Sequence, residues 1–275
     1  MPDAKRPPAL LEDAIQDNPK DYSLTLAKGM AILEMFSPEV QSVSFQSAAT
    51  HLGTSRASAR RLILTLEAMG YLDRTGSGTY VLTAKSLGIS RAFLSGNSIL
   101  SMLAEQVRQL AAEIDCPCSI VSLNGSEVMF LCRDPSRRVY ASQLALGDRL
   151  PAHASAGGKL LLAMKSDADL SAWFARHDPQ KVASRTITDA DTMLAQAAQI
   201  RAQDYASTDC ELDDGLVSIG LPVRDHHGTT RLSLVVSQFA HRMTRADFVE
   251  NYLAPTRAAA ERISATYAEY LRHNA

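Results

Sequence analysis

The sequence predicts an α+β protein of two domains: a small helical N-terminal domain closed by a hairpin, and a larger C-terminal domain with a mixed antiparallel sheet flanked by helices. Three observations predict it. The chain has 275 residues, more than the roughly 100 to 200 residues that one core usually serves. From residue 23 apolar side chains recur at three- and four-residue steps, and after Gly70 they switch to short runs broken by glycines. From residue 118 onward, alternating strand-like runs intermix with helical ones.

Composition narrows the function classes. Hydrophobic residues are 46% and charged residues 21% of the chain, values of a globular protein and not of a disordered one. The net charge is -2, so any nucleic-acid surface has to be a local patch. Pro7-Pro8 and mixed charges replace a secretory start, and no apolar run approaches the ~18 to 20 residues of a bilayer span. A cytoplasmic protein with no membrane partner is expected. Cys116, Cys118, Cys132 and Cys210 are too few and scattered for a disulfide framework, and are expected reduced.

Residues 1–22 hold Pro2, Pro7, Pro8, Asn18 and Pro19 with little periodicity, which predicts a flexible leader. Domain one is expected over residues 23–82. Leu24, Leu26, Ala27, Met30, Ala31, Leu33, Met35 and Phe36 mark a first helix stopped by Ser37-Pro38. A second helix runs over 45–52 behind the N-cap Ser44, and Gly53 makes the turn. The third starts at Ser55, buries Ala59, Leu62, Ile63, Leu66 and Met69, and stops at Gly70. Tyr71-Leu72, the tip Gly76-Ser77-Gly78, and Tyr80-Val81-Leu82 spell a hairpin.

Residues 83–97 predict a linker helix interrupted near Gly96-Asn97, and residues 98–275 a second domain. Its helices are expected at 99–114, 156–164, 169–175, 189–203 and 245–271. Its strands are expected at 118–131 around Asn124-Gly125, at 139–144, 205–208, 216–224 and 231–238, with His227-Gly228 turning the last pair.

Helix, helix, tight turn, helix and hairpin within about 60 residues is the order of a winged helix-turn-helix, whose third helix enters the major groove. The charges agree with it. No acidic residue lies between Glu39 and Glu67, while Arg56, Arg60 and Arg61 stand at the start of the third helix beside Thr54, Ser55 and Ser58. Arg56 and Arg60, four apart, share a face opposite the apolar stripe. Arg74 in the wing extends the patch. A solvated basic face on a structural helix is the bland alternative, and the joint occurrence of patch, turn and wing weighs against it.

Four segments carry a family resemblance: Ser23-Leu-Thr-Leu-Ala-Lys-Gly-Met-Ala-Ile-Leu, Ser55-Arg-Ala-Ser-Ala-Arg-Arg-Leu-Ile-Leu-Thr-Leu-Glu-Ala-Met-Gly-Tyr-Leu, Leu150-Pro-Ala-His-Ala-Ser-Ala-Gly-Gly-Lys-Leu-Leu-Leu-Ala and Asp213-Asp-Gly-Leu-Val-Ser-Ile-Gly-Leu-Pro-Val-Arg-Asp. With them the chain resembles the IclR family of bacterial transcriptional regulators from about Ser23 to Tyr267. The leader and Arg133-Asp-Pro-Ser-Arg-Arg-Val resemble the subgroup that controls protocatechuate and 4-hydroxybenzoate breakdown in the beta-ketoadipate pathway. The resemblance implies a GAF-like effector-binding domain, a linker helix that helps to dimerise, and a homodimer or dimer of dimers on double-stranded operator DNA. No cofactor, no metal and no enzyme activity are expected, on the residues weighed below.

By the same resemblance, a small carboxylic acid is held beside Ser155, Ala156 and Gly157, where a helix N-terminus offers free N–H groups. The aligned pocket positions are Thr208 and Asp209, Ser218, and Val235 and Ser237. Val235 departs from a more polar pattern, and with Leu123, Met129 and Leu144 it favours an aromatic acid over glyoxylate. His153 is a further candidate. Arg133, Arg137 and Arg138 are candidate cations, although arginines in connecting turns usually stay solvated.

Rival chemistries rest on less. Gly158-Lys159 is not a phosphate loop, because His153 stands five residues before Gly158 and Leu160 takes the place of Ser or Thr. There is no G-x-S-x-G, and Cys116, Cys118, His226 and His227 lack zinc-site spacing. Cys116-Pro-Cys118 reads as packing before redox switch. Two alternatives remain: a ligand sensor or scaffold whose helix-turn-helix makes protein contacts, and a regulator of aliphatic-acid metabolism.

Overall fold

The computed structural model describes residues 22–96, 98–134 and 144–274. Residues 1–21 of the leader, the 139–143 part of an expected strand, and Arg137 and Arg138 lie outside the described residues. The chain divides into two compact units, Met1–Gly96 and Asn97–Ala275.

The first unit builds α1 (Leu24–Leu33), α2 (Phe45–His51), α3 (Arg56–Ala68), β1 (Leu72–Arg74), β2 (Tyr80–Leu82) and α4 (Ser86–Gly96). Local chemistry sets the boundaries. Ser44 and Ser47 form a capping box at the start of α2, and Ser55 caps α3. Gly53 turns between them at φ 57°, a conformation that costs a side-chain-bearing residue. β1 and β2 pair antiparallel as the wing, Leu72 opposite Leu82 and Arg74 opposite Tyr80. Ile32, Ala48, Leu52, Ala59, Ile63, Leu72 and Tyr80 close the core.

The expected stripe of α1 needs correction. Leu24, Leu26 and Met30 are 44%, 65% and 45% exposed, and Ala31 and Ile32 are the buried pair. Met69, expected inside, is 51% exposed. α4 buries nothing and leaves Leu87, Ile89 and Phe93 in solvent.

The second unit holds α5 (Ser98–Ile114), β3 (Cys118–Asn124), β4 (Glu127–Asp134), β5 (Arg149–Pro151), α6 (Ala156–Ala163), α7 (Asp167–His177), α8 (Ala190–Gln203), β6 (Ala206–Asp209), β7 (Leu216–Arg224), β8 (Thr230–Phe239) and α9 (Arg245–His273). The six strands run in the order β5-β4-β3-β8-β7-β6, and every ladder among them is antiparallel. β5, three residues long, had no separate signal in the sequence.

Alternation along the strands splits the sheet into two buried faces. Cys118, Ile120, Val217, Ile219, Leu221, Leu234 and Val236 pack on Leu103, Val107 and Leu110 of α5 and on Phe248, Ala259 and Ile263 of α9. Val121, Val128, Phe130 and Ala206 face α6, α7 and α8, with Val235 at the margin. α6 is buried along its whole length, as a helix apolar nearly all round must be. Its opening glycines set how close it comes. A Cβ at Gly157 would lie 2.6 Å from Val121 Cγ2 and 2.7 Å from Val235 Cγ2, and one at Gly220 of β7 would lie 2.7 Å from the Ala156 carbonyl oxygen.

Candidate functional site

The first candidate surface is the start of α3. Ala59, Ile63 and Leu66 are buried, and the opposite side exposes Ser55, Arg56, Arg60 and Arg61, with Thr54 and Ser58 half-buried. Ser55 accepts the Ser58 N–H at 3.2 Å, so its oxygen serves the cap while its O–H stays available to donate. The Arg60 guanidinium lies 5.9 Å from the centre of the Phe45 ring, which tethers its stem to α2 without neutralising it. Arg74 is exposed on the wing. The structure thus brings together on one unit, as an exposed face plus a wing, the seven residues expected to meet DNA.

The second candidate site lies on the α6 face of the sheet. Ser155 is the N-cap of α6 and accepts the Gly158 N–H at 3.2 Å, and its carbonyl accepts the Lys159 N–H. The N–H groups of Ala156 and Gly157 come before any intrahelical acceptor. Beneath them runs a cross-strand row in which Gly220 stands opposite Val235 and Val235 opposite Ser119. Ser119 in turn stands opposite Arg133. The next row on the same face carries hydroxyls. Thr208 is opposite Ser218, Ser218 is opposite Ser237, and the Ser218 hydroxyl donates to Ser237 Oγ at 2.9 Å. Thr208 and Ser218 are buried.

Other expected positions fall around these rows. Leu123, Leu144 and Val235 pack half-buried against the α6-side cluster. His153 is 5% exposed, and its Nε2 pairs with the Gln180 carbonyl at 2.9 Å, so that nitrogen carries the hydrogen. Burial holds its pKa below the usual value, helped by the nearby charge of Lys159. Asp209 is tied to Arg185 in an ion pair. The Arg133 guanidinium lies 5.5 Å from the Phe130 ring centre, on the α6 face.

Met129 does not share this site. The hairpin pairs Leu123 with Val128 and Ser122 with Met129, because a two-residue connection between Asn124 and Glu127 matches odd positions with even ones. Met129 therefore stands on the face opposite Leu123.

Sequence reasoning also passed over a buried ion pair. Lys159 is fully buried and Glu211 is 7% exposed, and Lys159 Nζ bonds Glu211 Oε2. Burial lowers the lysine pKa and raises that of the glutamate, and each partner opposes the shift of the other. No motif links residues 52 positions apart; the only signal was a lysine inside an otherwise apolar helix. Among the described residues no group of three or more metal-binding side chains occurs, and no helix is long and apolar enough to cross a membrane.

Two family models match the chain. One, the IclR helix-turn-helix domain, covers residues 25–76, and the other, the bacterial transcriptional regulator IclR C-terminal, covers residues 91–265. The chain belongs to the IclR family. It is accordingly a DNA-binding transcriptional regulator with a small-molecule effector domain, and not an enzyme.

Among its relatives, the p-hydroxybenzoate hydroxylase transcriptional activator of Acinetobacter baylyi is 33% identical over 220 residues, 78% of this chain and 81% of that protein. The Pca regulon regulatory protein of Pseudomonas putida is 29% identical over 234 residues, 85% of this chain and 80% of that protein. An IclR homolog from Microbacterium hydrocarbonoxydans, solved in complex with 4-hydroxybenzoate, shares the fold with a TM-score of 0.67 at 20% identity, covering 88% of this chain and 98% of its own.

Proposed function

We propose that this IclR-type regulator senses an aromatic acid such as protocatechuate or 4-hydroxybenzoate and controls genes of aromatic catabolism. The observation that carries the reading is the pairing, on one buried sheet face, of a helix N-terminus whose first N–H groups have no intrahelical acceptor, and a hydroxyl row, with an apolar wall. The Ala156 and Gly157 N–H groups, with Ser218 and Ser237 beside them, suit a carboxylate. Val121, Leu123, Leu144 and Val235 suit a ring better than a two-carbon acid. The pca and p-hydroxybenzoate regulators among the relatives support the same effector class.

DNA is read by Thr54 and Ser55 at the entry to α3 and by Arg56, Ser58, Arg60 and Arg61 on it, with Arg74 on the wing reaching the backbone. The working form is a cytoplasmic homodimer or dimer of dimers. The exposed Leu87, Ile89 and Phe93 of α4, on the segment expected to link the domains, are apolar surface that a second copy covers. Effector binding shifts the population between assemblies that space the recognition helices differently on the operator.

A thermal-shift series tests the reading, because a ligand that binds the native state raises its apparent stability. Protocatechuate or 4-hydroxybenzoate should raise the melting temperature and glyoxylate should not. Stabilisation by glyoxylate alone would reassign the protein to aliphatic-acid metabolism.

A further inference from the structure

Lys159 is an unusual occupant of its position. It lies in the middle of a helix buried from end to end, where an unpaired ammonium would be strongly disfavoured. One carboxylate, Glu211, compensates it. An ammonium has three donors, and Glu211 Oε2 is the one hydrogen-bond acceptor that the described residues provide to Lys159 Nζ.

The position of the pair matters as much as its chemistry. Lys159 follows Ala156 by three residues, so the two share a helix face about 4.5 Å apart along the axis. Glu211 follows Thr208 and Asp209 on the segment leaving β6, and Cys210 of that segment bonds back to Leu216 at the start of β7. The hydroxyl row Thr208, Ser218, Ser237 therefore lies on the same side of the sheet as the lysine, next to the end of the sheet where Glu211 sits. The neutral donors of that corner hydrogen-bond a carboxylate but bring no formal charge to offset its desolvation. Lys159 brings one.

We infer that Lys159 is a binding residue for the acid group of the effector, held ready by Glu211, and that the incoming carboxylate shares the ammonium with Glu211 and competes with it. The inference rests on the effector site proposed above and adds to it the charge that selects an anion. It assigns Glu211 a negative role in affinity: its carboxylate compensates the ammonium in the empty site and weakens the hold on the ligand.

That negative role supplies the test, by isothermal titration of the full-length protein with 4-hydroxybenzoate, with its uncharged analogue 4-hydroxybenzamide, and with glyoxylate. Glu211→Gln keeps the shape and a hydrogen-bond acceptor for Lys159, and it should bind the carboxylate about fivefold to tenfold more tightly than the unaltered protein. The double variant Lys159→Met, Glu211→Leu removes both charges at similar volume, a replacement that buried ion pairs tolerate. It should fold, lose about tenfold or more in affinity for 4-hydroxybenzoate, and no longer prefer the acid over the amide. A Glu211→Gln variant that binds no more tightly, or a folded double variant that still prefers the acid, overturns the inference. So does an acid preference that instead disappears in Arg133→Gln. If the unaltered protein binds glyoxylate but not 4-hydroxybenzoate, the aromatic reading fails while Lys159 is still judged with glyoxylate. If it binds neither acid, both are wrong.

Discussion

The Ser218 hydroxyl on β7 donates to Ser237 on β8 at 2.9 Å, and Thr208 on β6 stands opposite Ser218. Because side chains directly across a ladder share a face, three hydroxyls line up below the start of α6. Replacing Ser218 by Phe fills that corner. The effector response should vanish in a ligand titration, while DNA binding by fluorescence anisotropy stays within twofold, because the wing and recognition helix belong to the other compact unit. An unchanged ligand titration would remove Ser218 from the site.

Arg60→Ala and Arg61→Ala should each weaken DNA binding by about 1 to 3 kcal/mol and reduce its dependence on salt, with effector affinity unchanged. Both side chains are exposed, so folding should suffer by less than about 1 kcal/mol, the Arg60 contact with Phe45 included. Equal loss of DNA and effector binding would point to a folding defect instead.

The elements were legible in this sequence to different degrees. Capped helices were plain because their signals are local: Ser44 and Ser55 stand where the caps stand. The wing and the β7–β8 pair were legible from their turn glycines, Gly78 and Gly228, both at positive φ. Inside and outside were harder. The helical period of α1 marks Leu24, Leu26 and Met30, yet Ala31 and Ile32 are buried, because period gives the width of a stripe and not what covers it. Met129 was misplaced because register depends on how the hairpin connects. The Lys159–Glu211 pair was illegible because it forms only once α6 lies across the sheet. The hydroxyl row was legible position by position through the family resemblance, but its single line came from the pairing of β6, β7 and β8.

The two glycines that open α6 should not be equivalent. A Cβ on Gly158 would lie 2.2 Å from the Ala152 carbonyl oxygen, a backbone atom, whereas one on Gly157 meets the ends of Val121 and Val235. Methyl groups turn aside more readily than backbone moves. Gly158→Ala should cost about 3 kcal/mol or more in chemical denaturation, and Gly157→Ala about 1 to 2 kcal/mol. Equal costs would mean that α6 lifts from the sheet as a unit when either is changed.

Acid sensitivity should trace in part to His153. In the folded protein burial holds its pKa below 6.5, while the unfolded chain returns it to the ordinary value of about 6.5. Between those two values the unfolded state binds more protons, so stability rises with pH there. The His153 contribution is therefore complete above about pH 6.5 and is lost as pH falls through the lower, folded value. His153→Gln keeps a donor for the Gln180 carbonyl, now 2.9 Å from Nε2, and removes the titration. Denaturation midpoints of this variant should fall less steeply below pH 6.5 than those of the unaltered protein. Part of the slope should persist, because burial lowers the pKa of His51 in the other unit as well. An identical pH profile in the two proteins would show that His153 takes up its proton without unfolding the loop that holds it, and that its burial does not hold the charged ring out.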